Sequence, residues 1–166
     1  EDQRAAFTYD AFISYSHRDG TVAAGLQKGL HRVARRMGQL NALRVFRDST
    51  DLAANPDLWG GVTLAMDCSR YLIVVLSPHA AMSRWVDREV DHWLRRRGPD
   101  HLLIALADGH LLWDEAAGRR DPSISDAAVP ALTEPGALPN EPLYIDISAD
   151  APWDPHTPAF RDKLTD

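Results

Sequence analysis

Six consecutive apolar residues, Tyr71-Leu72-Ile73-Val74-Val75-Leu76, constrain this chain more than any other segment. A β-branched run with no polar alternation reads as a strand buried on both faces, and such a strand needs helices on each side of its sheet. It is therefore expected at the sheet centre. Three further segments read as strands: Tyr9-Asp10-Ala11-Phe12-Ile13-Ser14-Tyr15, Leu43-Arg44-Val45-Phe46 and residues 101–106. Helical patterns separate them. Val22, Leu26, Leu30, Val33 and Met37 form one apolar stripe that Gly38 is placed to end, and Leu58, Val62, Ala65 and Met66 form a second. Ser77-Pro78 reads as a cap and first-turn pair, and a third helix spans about 83–97 before Gly98-Pro99 ends it. Strand, helix, strand, helix order is the pattern of an α/β fold with a parallel sheet. Residues 107–140 show no sustained period, and eight of the eleven prolines fall between Pro122 and Pro158. Leu143-Tyr144-Ile145-Asp146-Ile147 reads as a fifth strand reached by a long irregular connection.

With 166 residues, 45% hydrophobic and 25% charged, the chain is expected to be one globular domain. A net charge of −6 argues against the broad basic surface that nucleic-acid binding requires. No run approaches the ~20 apolar residues of a membrane span. Cys68 is the single cysteine, so no intrachain disulfide forms, and a reducing cytoplasm is the expected setting. The seven histidines never pair at the spacing that holds a metal on one helix, so no metal is expected. Glycine-rich dinucleotide and phosphate loops, the esterase elbow and the zincin signature are all missing. Starting at Glu1 without methionine, the chain is expected to be a module excised from a longer, multidomain protein.

The chemically informative segment is Trp85-Val86-Asp87-Arg88-Glu89. At 100° per residue Val86, Val90 and Trp93 make the buried stripe, Glu89 sits about 60° from Val86 at its border, and Trp85 lies one turn earlier on the same side. In a doubly wound sheet the first turn of such a helix adjoins the carboxyl ends of the strands, where ligands of open α/β sheets bind. Spacing alone leaves two readings open: a carboxylate at a ligand crevice, or a glutamate favoured by the helix dipole beside a packing tryptophan. Asp87, on the other flank, reads as a solvated charge. Gly25 and Gly29 read as positions where a helix approaches its sheet, and Trp59 as an edge tryptophan with a stacking alternative. Ser14, Ser16 and His17 contain a nucleophile and a base, yet no oxyanion loop accompanies them.

Taken in order, Tyr9-Asp10-Ala11-Phe12-Ile13-Ser14-Tyr15-Ser16, Val45-Phe46-Arg47-Asp48, Val75-Leu76-Ser77-Pro78 and the W-x-x-x-E of Trp85 to Glu89 resemble a bacterial Toll/interleukin-1 receptor (TIR) domain. The resemblance implies a flavodoxin-like, doubly wound sheet of five parallel strands in the order 2-1-3-4-5, with helices on both faces. It implies one of two functions. Some members cleave the nicotinamide–ribose bond of NAD, giving nicotinamide and ADP-ribose or a cyclic variant; others are non-catalytic interaction modules. For the cleaving members it implies Glu89 as the catalytic residue. Tyr15, Ser16 and His17 after the first strand, Asp48 and Leu52 after the second, and Trp85 would line the NAD cleft, with NAD as substrate and no cofactor. It also implies homotypic self-association through the loop from Asp48 to Pro56. Here that loop departs from the Pro-Gly pair of many animal members, carrying Asn55-Pro56 and extra length, and Ser16 stands where some NAD-cleaving relatives are basic. A receiver domain of similar topology is disfavoured because its acidic cluster and lysine are missing.

Overall fold

The computed structural model describes residues 7–36, 45–47, 56–114, 116, 119–120, 125–134, 138 and 144–165. Its elements run β1 (Tyr9–Ser14), a 3-10 turn (His17–Asp19), α1 (Gly20–Arg36), β2 (Val45–Arg47), α2 (Pro56–Asp67), β3 (Ser69–Leu76), α3 (Pro78–Ala81) and α4 (Arg84–Arg97). There follow β4 (Leu102–Leu106), β5 (Trp113–Asp114), β6 (Arg119–Arg120), α5 (Pro130–Thr133), β7 (Tyr144–Asp146), a second 3-10 turn (Ser148–Asp150) and α6 (Pro158–Lys163). The fold is α/β. β1 pairs in parallel with β2 on one side and β3 on the other, and β4 continues the parallel sheet beyond β3. β7 adds three exposed residues in parallel to the outer edge of β4, while β5 and β6 form a separate antiparallel pair. Gly38, the expected stop of α1, lies outside the described residues.

The period of two along each strand divides the core into two layers. Phe12, Leu72, Val74, Leu76, Leu102, Ile104 and Leu106 face Val62 and Met66 of α2 and Val86, Val90 and Trp93 of α4. Ala11, Ile13, Ile73, Val75 and Ala105 face Val22, Ala23 and Leu26 of α1 and Phe160 of α6. β3 is buried from Leu72 to Leu76, as a strand covered on both faces must be. Each fully buried valine of α4 contributes roughly 1.5–3 kcal/mol.

Ala107 packs in the second layer, and the other buried apolar residues described in the aperiodic stretch after β4 join the first. Leu111, Ala127, Val129, Ala131, Leu132 and Leu138 are all buried there. Asp87, read as a solvated charge, instead accepts a hydrogen bond from the Ala131 backbone amide at 2.8 Å. It anchors this stretch to α4. Arg97 ties the end of α4 to β3, its guanidinium donating to the Ser69 and Arg70 carbonyls at 2.8 and 3.3 Å.

The two glycines of α1 correct another expectation. Their open face receives the C-terminal segment, and no sheet residue is among the atoms nearest to either. A Cβ at Gly25 would collide with the Trp153 carbonyl, and one at Gly29 with the end of the Leu164 side chain. Trp153 is held in place by its indole N–H, which donates to the Ile147 carbonyl at 2.8 Å. Backbone cannot yield as a leucine tip can. Gly25→Ala is therefore expected to destabilise the fold by about 1–3 kcal/mol, and Gly29→Ala by clearly less, as read by chemical denaturation of the two variants side by side.

Candidate active site

α4 is built to place Glu89. Ser83 caps it, its hydroxyl accepting the Val86 amide at 3.2 Å, and Gly98 ends it with φ 74° and an amide bonded to the Leu94 carbonyl at 3.1 Å. Arg95, Arg96 and Arg97 complement the dipole at its last turn. Val86, Glu89, Val90 and Trp93 form the inward stripe, and Glu89 is 0% exposed. The expected border position is thus fully enclosed: the buried arc is wide enough to take in a residue 60° from its centre, because the carboxyl end of β1 lies against that flank. Ser14, the last residue of β1, donates its hydroxyl to Glu89 Oε1 at 3.1 Å. Ser14 shares the parity of Phe12, so it points into the α2–α4 layer.

The outer side of α4 is fastened to α2. Trp85 is half-buried and meets Trp59 edge-on, with ring centroids 5.1 Å apart. The Arg88 guanidinium lies over Trp59 at 4.2 Å and over Trp85 at 5.6 Å. One turn on, His92 bonds to Asp67 at 3.0 Å, and Arg96 approaches the same carboxylate at 3.5 Å. Trp59 therefore serves the helix that carries Glu89, a role its isolated position in the sequence does not show.

A second buried carboxyl group stands in the turn after β1. The Ser16 hydroxyl accepts the Arg18 amide at 3.4 Å, and its carbonyl accepts the Asp19 amide at 2.8 Å. The Asp19 carboxylate accepts a 2.5 Å hydrogen bond from Ser77, just past the end of β3. Ser77 Oγ in turn accepts the Ala80 amide at 3.0 Å, capping α3. Burial pushes the Asp19 carboxyl above the ordinary carboxylate range and Asp108 adds to the rise, while the Ser77 bond and His79 oppose it. Nothing in the residue pattern distinguishes Asp19 from an ordinary turn aspartate, so sequence reasoning passed over it.

β1 and β3 lie side by side, and the connections that leave them run in opposite directions, from β1 to β2 and from β3 to β4. The crevice at such a switch point is where α/β sheets bind ligands. Glu89 with Ser14 and Asp19 with Ser77 both stand at this end of the sheet. Of the other residues expected at the site, Ser16 is buried as the turn's cap and His17 is exposed. Tyr15 is buried in the α1–α6 layer with Ile13 and Val22. Asp48 and Leu52 lie outside the described residues, as does the loop between them. No group of three metal-ligating side chains occurs among the described residues. None of the described helices is long and apolar enough to cross a membrane.

The family model described as the TIR domain matches residues 11–122. The chain belongs to the TIR domain family. Among curated proteins, this TIR domain is 42% identical over 162 residues to "NAD(+) hydrolase ApTIR" of Actinoplanes sp., a match that covers 95% of the chain. The chain spans 22% of that protein's length. Among solved structures, the TIR domains of the activated Roq1 resistosome directly recognizing the pathogen effector XopQ share 20% identity with it. That match covers 60% of this chain and 57% of the other, with a TM-score of 0.43, a likeness too loose to bear on the fold.

Two outcomes are expected for this TIR domain. Ser14→Ala withdraws a donor from a buried carboxyl group and should cost about 1–3 kcal/mol of stability, measured by denaturant titration. Asp19→Asn keeps the acceptor for Ser77 and removes the charge. A carboxyl whose pKa is raised by folding contributes its full stability below the unfolded-state pKa and loses it as pH rises through the folded-state pKa. The variant's Tm relative to wild type should therefore climb from acidic pH toward neutrality. A Tm difference that stays constant with pH contradicts this.

Proposed function

We propose that this TIR domain is an NAD glycohydrolase in which Glu89 is the catalytic residue. Cleavage breaks the bond between ribose C1′ and the nicotinamide nitrogen. The bonding pair leaves with nicotinamide, a neutral pyridine, so no general acid is needed and one carboxylate suffices. The barrier lies in the cationic, oxocarbenium-like ribose. A carboxylate in a water-poor site, aimed at that charge or at the ribose hydroxyls, supplies preorganised electrostatic stabilisation. Water then adds to C1′ and releases a proton, giving ADP-ribose, or an internal ring atom closes a cyclic product.

The observation that carries this reading is the complete burial of Glu89 at the carboxyl end of β1, inside the W-x-x-x-E segment. Burying a carboxyl group costs more than burying an apolar side chain of like size. A position that accepts that cost at a switch point, where an apolar residue would serve stability better, is of the kind expected at functional sites. The relative's name, NAD(+) hydrolase, points the same way. In this reading the turn carrying Ser16 and His17, with Tyr15 beneath it, Trp85, and Asp48 and Leu52 after β2 form the NAD cleft. β7 is taken as the fifth strand of a flavodoxin-like sheet ordered 2-1-3-4-5. Because Glu89 is enclosed, NAD reaches it only when neighbouring side chains withdraw, and self-association through the Asp48 to Pro56 loop in a cytoplasmic setting supplies that rearrangement.

The same enclosure favours a second reading, a non-catalytic interaction module in which Glu89 and Ser14 merely hold α4 against β1. One pair of measurements separates the two. For the enzyme, Glu89→Gln lowers nicotinamide release from NAD at high protein concentration by about 100-fold or more, while Tm moves by less than about 3 °C, under roughly 1 kcal/mol at this size. For the module, wild type releases no nicotinamide and Glu89→Gln lowers Tm.

A further inference from the structure

We infer that Asp19 is a positioning residue for Glu89, acting through Ser77 to fix where α4 begins. This rests on the NAD-cleaving reading and extends it to a carboxyl group for which that reading gives no role.

The argument is one of connectivity. Ser77 spends its single hydroxyl twice: it donates to Asp19 and accepts the Ala80 amide at 3.0 Å. The first bond crosses the switch point from the turn after β1 to the turn after β3; the second begins α3. The short helix α3 passes directly into α4, with the Ser83 amide bonded to the Ala80 carbonyl at 3.0 Å and the Asp87 amide to the Ser83 carbonyl at 3.1 Å. Glu89 rides in the second turn of α4, and its other fixed point is Ser14, five residues before Asp19. The two carboxyl groups thus close a ring: β1 to Glu89 through Ser14, and the turn after β1 to the start of α4 through Asp19 and Ser77.

Asp19 is 7% exposed, and among the described residues its carboxylate takes one side-chain hydrogen bond, from Ser77. A plain packing position at this depth is filled more favourably by an apolar side chain. What aspartate offers is an acceptor of fixed length that orients the Ser77 hydroxyl hydrogen and leaves its lone pair for Ala80. Displacement of a catalytic group by about 1 Å costs on the order of 100-fold in rate. Slackening this ring therefore falls on the chemical step and leaves NAD binding nearly untouched.

The test compares Asp19→Ala, Asp19→Asn and Ser77→Ala in concentrated protein, with steady-state NAD cleavage and amide hydrogen exchange read in parallel. Asp19→Ala should lower kcat at least ten-fold with KM changed less than three-fold. Asp19→Asn, which still accepts from Ser77, should recover most of that kcat. Asp19→Ala combined with Ser77→Ala should be no slower than Ser77→Ala alone, since both act through one contact. Exchange at Ala80 and Val86 should quicken in Asp19→Ala, with β3 amides unchanged. Wild-type kcat in Asp19→Ala, a loss confined to KM, or an Asp19→Asn variant as slow as Asp19→Ala overturns the inference. If wild type itself releases no nicotinamide, the parent reading fails, and the exchange measurement still decides whether Asp19 holds the start of α4.

Discussion

A carboxyl group withdrawn from water must be given donors by its surroundings, and the Ser14 hydroxyl at the end of β1 is one donor that Glu89 receives. That single contact joins the sheet to α4 at the end of the strands where ligands of α/β folds bind. Much of the surrounding structure serves to keep it in register. Ser83 fixes the helix start, Gly98 its end, and Val86, Val90 and Trp93 press its inward stripe onto β1, β3 and β4. On the far side, Arg88 laid across Trp59 and Trp85, together with His92 and Arg96 on Asp67, keeps α4 from rolling.

The energetic logic is a trade. The apolar layers contribute the stability, and the fold then accommodates two carboxyl groups that an apolar residue could replace at a gain. Both stand beside the switch point between β1 and β3, and both are held by a serine at the end of a strand. Enclosure strengthens any electrostatic interaction the glutamate makes with a cationic sugar, because little water remains to screen it. In the proposed NAD-cleaving reading, the same enclosure requires movement of neighbouring side chains before NAD can enter.

Much of this was legible in the sequence because it depends on local rules. The apolar run at Tyr71 to Leu76 could only be a strand covered on both faces, and Ser83 and Gly98 announce the ends of α4. Helical spacing placed Glu89 at the border of the stripe and the family resemblance singled it out, but neither gave its full burial, since 60° from the stripe centre is enclosed or wet depending on what lies opposite. Asp87 and Gly25 were misread for a related reason. Their partners, the Ala131 amide and the Trp153 backbone, come from distant segments with no period of their own. The described residues between 107 and 138 enter the core as separate leucines, alanines and valines, which no periodic pattern can reveal. Asp19 carries no local signal, because its meaning lies in Ser77, 58 residues away.

The central claim is spatial: the side chain at position 89 faces the sugar that becomes cationic. The most direct measurement is a crystal structure of the self-associated Glu89→Gln variant with NAD bound. The account predicts the nicotinamide ribose at the carboxyl ends of β1 and β3, with a ribose hydroxyl within about 3 Å of the side chain at position 89. NAD bound away from that end of the sheet, or position 89 still enclosed against Ser14 with the ribose elsewhere, would contradict it.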